Sequence, residues 1–83
     1  MANWKYLIGS DPKICHGKPC FRINGKLSRI TAYLVLEMLE AKESFDDIIK
    51  AYPQLNYDHI KSALHYAAEA MKTGEVIPLA EVT

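Results

Sequence analysis

Residues 44–74 read SFDDIIKAYPQLNYDHIKSALHYAAEAMKTG, and this stretch decides the fold. Ser44 is a good N-cap, and Asp46 and Asp47 follow in the first turn, where the positive end of a helix dipole favours acids. Phe45, Ile48, Ile49 and Tyr52 recur at spacings of three and four and so share one inward face. Pro53 disfavours helical geometry at Tyr52 and ends this helix after about two turns. Asn56 caps the next helix, with Asp58 near its start. Ile60, Leu64, Ala67 and Met71 form its predicted buried stripe, and Ala63, Ala68 and Ala70 allow another helix to approach closely. Gly74 is the natural stop after Lys72-Thr73. A short helix, a tight Pro-containing connection and a longer helix outline a helix-turn-helix.

Upstream, Thr31–Ala41 is apolar on most faces, which predicts a first, buried helix. Before it, Cys20-Phe21-Arg22-Ile23 and Lys26-Leu27-Ser28-Arg29-Ile30 flank Asn24-Gly25, a pair that tolerates the positive φ angles of a type I′ hairpin turn. Alternation turns Phe21, Ile23 and Leu27 towards apolar surroundings and leaves Arg22 and Lys26 more exposed. Ser10-Asp11-Pro12 signals a turn, and Trp4, Tyr6, Leu7 and Ile8 read as a short strand or hook. Downstream, Glu75–Leu79 is an extended apolar tail. The expected fold is therefore α+β and mainly α: an N-terminal β-hairpin followed by a three-helix helix-turn-helix unit. It forms a single domain over residues 1–83, with an arm and hairpin at 1–30, helices at 31–73 and a tail at 74–83.

With 49% apolar residues in 83, a real core is expected, though a small one that pairing with a second copy would help. A chain this short also has little scaffold for a catalytic cleft, so no catalytic residues are assigned and a non-enzymatic role is expected. Net charge is zero but unevenly spread: residues 1–30 hold six cations against Asp11, and residues 31–83 hold four lysines against nine acids. Such asymmetry points to a charged partner or to self-complementarity. No signal peptide and no membrane-spanning run is evident, and two cysteines make no secreted disulfide framework, so a reducing cytoplasm is the expected compartment.

Ile8-Gly9-Ser10-Asp11-Pro12, Gly17-Lys18-Pro19 and Arg29-Ile30 leading into Leu34-Val35-Leu36-Glu37 resemble the bacterial family called domain of unknown function 433. Ser44 with Asp46-Asp47-Ile48-Ile49, then Tyr52-Pro53-Gln54-Leu55, and Asp58–Ala68 continue the resemblance, which runs from about Ile8 to Ala68. It implies a homeodomain-like helical protein similar to VapB-type antitoxins, dimeric, with a PIN-like ribonuclease toxin as partner and double-stranded operator DNA as a second ligand. The chain departs from the family pattern in three places. His16-Gly17 replaces a glycine pair, the hairpin around Ile23–Lys26 is longer, and Lys42 stands where a glycine usually ends the first helix.

In a DNA-reading helix-turn-helix the start of the second helix meets base edges. That singles out Asn56, Tyr57, His59, Lys61 and Ser62 as exposed DNA-binding positions, against a solvated face in a fold that has lost DNA contact. Arg22, Lys26 and Arg29 make a basic ribbon suited to dimerisation or to nucleic acid. Val76, Ile77 and Leu79 suit strand addition to a partner's sheet edge, or packing on their own domain. Cys15, His16 and Cys20 lack a second ligand pair for zinc, so neither metal nor cofactor is expected. Two functions remain open: an antitoxin-like protein that neutralises a PIN-like ribonuclease and binds its operator, and a non-DNA-binding interaction module that uses the fold and arm for dimerisation.

Overall fold

The structure is a computed structural model that describes residues 4–74. Asn24 (φ 52°) and Gly25 (φ 80°) both take the left-handed conformation that a type I′ turn needs, and so close the expected hairpin. Its strands are β2 (Cys20–Ile23) and β3 (Lys26–Thr31), paired antiparallel with Ile23 opposite Lys26 and Arg22 opposite Leu27. The register then shifts, so that Cys20 faces Thr31. Ser28 mends the irregularity: its Oγ donates to the Phe21 carbonyl at 2.8 Å and accepts the Ile30 N–H at 3.1 Å. The bulge lets consecutive residues Cys20 and Phe21 both be buried, which is why a strict two-residue alternation fails here.

The ribbon is not a free arm. A third strand, β1 (Ile8–Gly9), pairs with β2, placing Ile8 opposite Phe21, and the sheet order β1-β2-β3 puts β2 in the middle. Ahead of β1, residues Trp4–Leu7 form a one-turn helix, α1, where the sequence suggested a strand or hook. Four residues are too few for either period to declare itself, and contacts with distant parts of the chain hold the turn in place. The Arg22 guanidinium donates to the Tyr6 carbonyl at 2.6 Å and lies 5.3 Å from the Tyr6 ring centre, holding the turn against the sheet. The turn at Ser10-Asp11-Pro12 is as expected, with the Ile14 N–H on the Asp11 carbonyl at 2.8 Å.

Three helices follow: α2 (Ala32–Glu40), α3 (Phe45–Ala51) and α4 (Tyr57–Lys72). The end of α2 is a Schellman motif, with the Glu43 N–H on the Met38 carbonyl and the Lys42 N–H on the Leu39 carbonyl, both at 3.0 Å. Lys42 occupies its left-handed position at φ 72°. Ser44 and Asp47 form a reciprocal capping box at the start of α3, and Tyr52 closes that helix ahead of Pro53. Gly74 (φ 93°) ends α4, as the sequence predicts.

Phe21, Val35, Ile48 and Ile60 are fully buried at the centre, joined by Ile8, Ala32, Leu55 and Ala63. Each large side chain among them contributes about 1.5–3 kcal/mol by leaving water. The buried side of α4 differs from the predicted stripe: His59, Ile60, Ser62 and Ala63 turn inward, whereas Leu64 and Met71 remain 42% and 73% exposed. Among the described residues, the sheet and the other helices bury one side of the start of α4 and leave Leu64 and Met71 of its distal half largely uncovered. No helix among the described residues is long and apolar enough to cross a membrane.

Candidate functional site

The start of α4 is organised by Asn56 and His59. The Asn56 side-chain oxygen accepts the His59 N–H at 3.1 Å, and His59 Nδ1 accepts the Asn56 N–H at 3.1 Å. With Nδ1 an acceptor, the ring proton sits on Nε2, which donates to the Arg22 carbonyl of β2 at 3.0 Å. The ring also meets Phe21 edge-on, 5.5 Å between centres. His59 is 5% exposed, so the exposure expected of it from sequence is overturned. Ser62 is withdrawn as well, buried and donating to the Asp58 carbonyl at 2.7 Å. Both point inward because the cap and the sheet contact set the rotation of α4.

Of the remaining predicted helix residues, Asn56, Tyr57 and Lys61 are exposed. Asn56 spends its side-chain oxygen on the cap. Tyr57 packs edge-on against Phe45 at 5.9 Å and donates its hydroxyl to Asp46, whose carboxylate raises the Tyr57 pKa above its usual value. Hydrogen bonds from the Ser44 backbone and then its hydroxyl hold the Asp47 carboxyl below its usual range. With Asp58 in its first turn and Asp46 bonded to Tyr57, two acids stand at the end of α4 that would face phosphate. That field opposes a polyanion.

The cations predicted on the ribbon separate. Arg22 is half-buried and committed to Tyr6, correcting its expected exposure, whereas Lys26 and Arg29 are exposed on β3, an edge strand of the sheet. Arg29 borders an open cleft of about 440 Å³ that is also lined by Cys15, His16, Lys18, Thr31, Tyr33, Leu34 and Glu37. Lys18 lies 5.2 Å from the Tyr33 ring centre.

One wall of the cleft is a tight turn, Cys15–Gly17, in which Cys15 (φ 52°), His16 (φ 55°) and Gly17 (φ 79°) are all left-handed. For Cys15 and His16 this conformation costs on the order of 1–2 kcal/mol each. The Cys15 thiol reaches the Arg29 carbonyl at 3.5 Å and the Cys20 thiol the Lys18 carbonyl at 3.2 Å. Burial first, and then the hydrogen bond and charge of Cys15, push the Cys20 pKa up to about 11. Among the described residues no three His, Cys, Asp or Glu side chains converge on a metal position. The turn was invisible in the sequence because only Gly17 advertises positive φ. Val76, Ile77 and Leu79 of the apolar tail lie outside the described residues.

A family model described as a protein of unknown function (DUF433) matches residues 8–67. No curated protein matches the chain. The fold is similar to the crystal structure of a DUF433 member protein from Anabaena variabilis ATCC 29413, with a TM-score of 0.71 at 20% identity, covering 83% of this chain and 64% of that one. The chain thus spans a little under two thirds of that neighbour's length, and at this identity the likeness concerns the fold.

Proposed function

The chain belongs to the DUF433 family, and from that premise we propose that it is a non-enzymatic, antitoxin-type binding protein that holds a PIN-like ribonuclease in a cytoplasmic complex, itself as a homodimer. The observation that carries this reading is the distal half of α4, where Leu64 and Met71 stay exposed on a helix whose base is pinned in the core. Leu64, Ala67 and Met71 stand at the i, i+3, i+7 spacing by which a helix lays apolar anchors into a partner's groove. The nine acids of residues 31–83 complement the cationic surface with which a ribonuclease grips RNA.

Co-expression with a PIN-like nuclease encoded beside this chain tests the proposal. The expected result is a co-purifying, inactive nuclease, with Leu64→Asp plus Met71→Asp reducing retention by at least about tenfold, or roughly 1.4 kcal/mol. A nuclease that stays free and active beside the folded wild-type chain overturns it. A second reading, operator binding through the sheet, is favoured by Lys26 and Arg29 exposed on the β3 edge, with Arg29 sharing its cleft with Lys18. A gel shift on upstream DNA whose salt slope falls when Lys26 and Arg29 are replaced by alanine would support it.

A further inference from the structure

The left-handed turn at Cys15–Gly17 has no counterpart in the hairpin or the helix caps, where Asn24, Gly25, Lys42 and Gly74 each close a recognisable turn. Its geometric result is to fold Cys15 back onto β3 at Arg29, two residues from the Thr31 that stands opposite Cys20. The two sulfurs also sit over neighbouring backbone, Cys15 on the Arg29 carbonyl of β3 and Cys20 on the Lys18 carbonyl. Cys20 is held at the start of β2, opposite Thr31. Both cysteines are free thiols; Cys15 is half-buried in the wall of the open cleft, and Cys20 is fully buried behind it. An accessible thiol and a buried one, five residues apart and both set against the Arg29–Thr31 stretch of β3, have the arrangement of an attacking and a resolving cysteine.

We propose that Cys15 and Cys20 are a redox pair, converted by a peroxide into one intramolecular disulfide that fixes the wall of the cleft. The Cys15 thiol gives up its proton as its sulfur attacks a peroxide oxygen, the O–O bond breaks, the departing hydroxide takes up that proton as the first water, and Cys15 is left as a sulfenic acid. Cys20 then gives up its proton and its sulfur attacks that of Cys15. The S–O bond breaks, hydroxide departs and takes up the proton as the second water, and the S–S bond forms. Two electrons pass from the thiols to the peroxide. Burial keeps Cys20 protonated and out of the first step, so the order is fixed by access. The disulfide removes both thiol hydrogens, so the Arg29 and Lys18 carbonyls lose these donors and the cleft beside Lys18 and Arg29 changes shape.

The test uses the full chain, purified with reductant and then exposed to hydrogen peroxide near stoichiometric amounts. The expected product is a monomer lighter by about 2 Da, with titratable thiols falling from two to none and one peptide linking Cys15 to Cys20. Cys20→Ser is expected to accumulate a sulfenic acid at Cys15, trapped by dimedone. Cys15→Ser is expected to slow loss of the Cys20 thiol by about tenfold or more. Unchanged circular dichroism of both serine variants separates this outcome from misfolding. Oxidation that stops at Cys15 in the wild-type chain, or that yields only disulfide-linked dimers, overturns the proposal.

Discussion

At His59, Nδ1 is occupied by the Asn56 N–H and Nε2 by the Arg22 carbonyl, so truncation leaves partners bare at both ends of the ring. His59→Ala removes half of the α4 cap, about 0.5–2 kcal/mol, and strands a buried carbonyl of the central strand, about 1–3 kcal/mol. A loss of about 2–4 kcal/mol is expected in urea unfolding, while Lys61→Ala, at an exposed site, stays within about 0.5 kcal/mol. Lys42 gives the opposite sign. It holds the left-handed position of a Schellman motif at φ 72°, where a side chain is strained and glycine is not. Lys42→Gly should stabilise the protein by about 0.5–1 kcal/mol, read as a higher urea midpoint at unchanged slope. These two positions differ in legibility for a physical reason. The strain at Lys42 follows from a local turn, so its chemistry stands in the neighbouring residues. The burial of His59 depends on a carbonyl 37 positions away, which no local pattern carries.

The start of α3 and its contact with α4 are fastened by exposed polar contacts whose strength follows pH in opposite directions. The Asp47 carboxyl is held below its usual range by Ser44. Its folded value is the lower one, so its contribution is complete above about pH 4 and is lost as pH falls through that depressed value. Tyr57 is raised by its hydrogen bond to Asp46. Its folded value is the higher one, so that contribution is complete below about pH 10 and is lost as pH climbs through the raised value. Urea midpoints across acid pH should therefore fall less steeply for Asp47→Asn than for the wild type. Midpoints across alkaline pH should fall less steeply for Tyr57→Phe. The helix boundaries here were legible because caps and Pro53 act within one turn of where they stand. The pairing of Tyr57 with Asp46 was not, since it depends on how α4 lies beside α3.

Across the whole molecule, periodicity identifies which side of a helix is apolar but not how far the rest of the protein extends to cover it. The stripe Ile60, Leu64, Ala67, Met71 is continuous in sequence, yet Ile60 is fully buried and Met71 is 73% exposed. The same distinction separates stability from function along a single helix. Ile60→Ala opens a cavity among Phe21, Val35 and Ile48 and should cost about 2–5 kcal/mol in unfolding free energy. Leu64→Ala and Met71→Ala remove atoms already largely in contact with water, so each should cost less than about 1 kcal/mol. If the distal half of α4 is the face that grips a partner, the order reverses in a binding assay. The Leu64 and Met71 variants then lose affinity at near-wild-type melting temperature, whereas Ile60→Ala loses partner binding only in proportion to the fraction unfolded. Denaturation and nuclease capture measured on the same three variants decide this, and a Met71 variant that melts early yet still captures the nuclease would contradict both the packing and the function assigned to this helix.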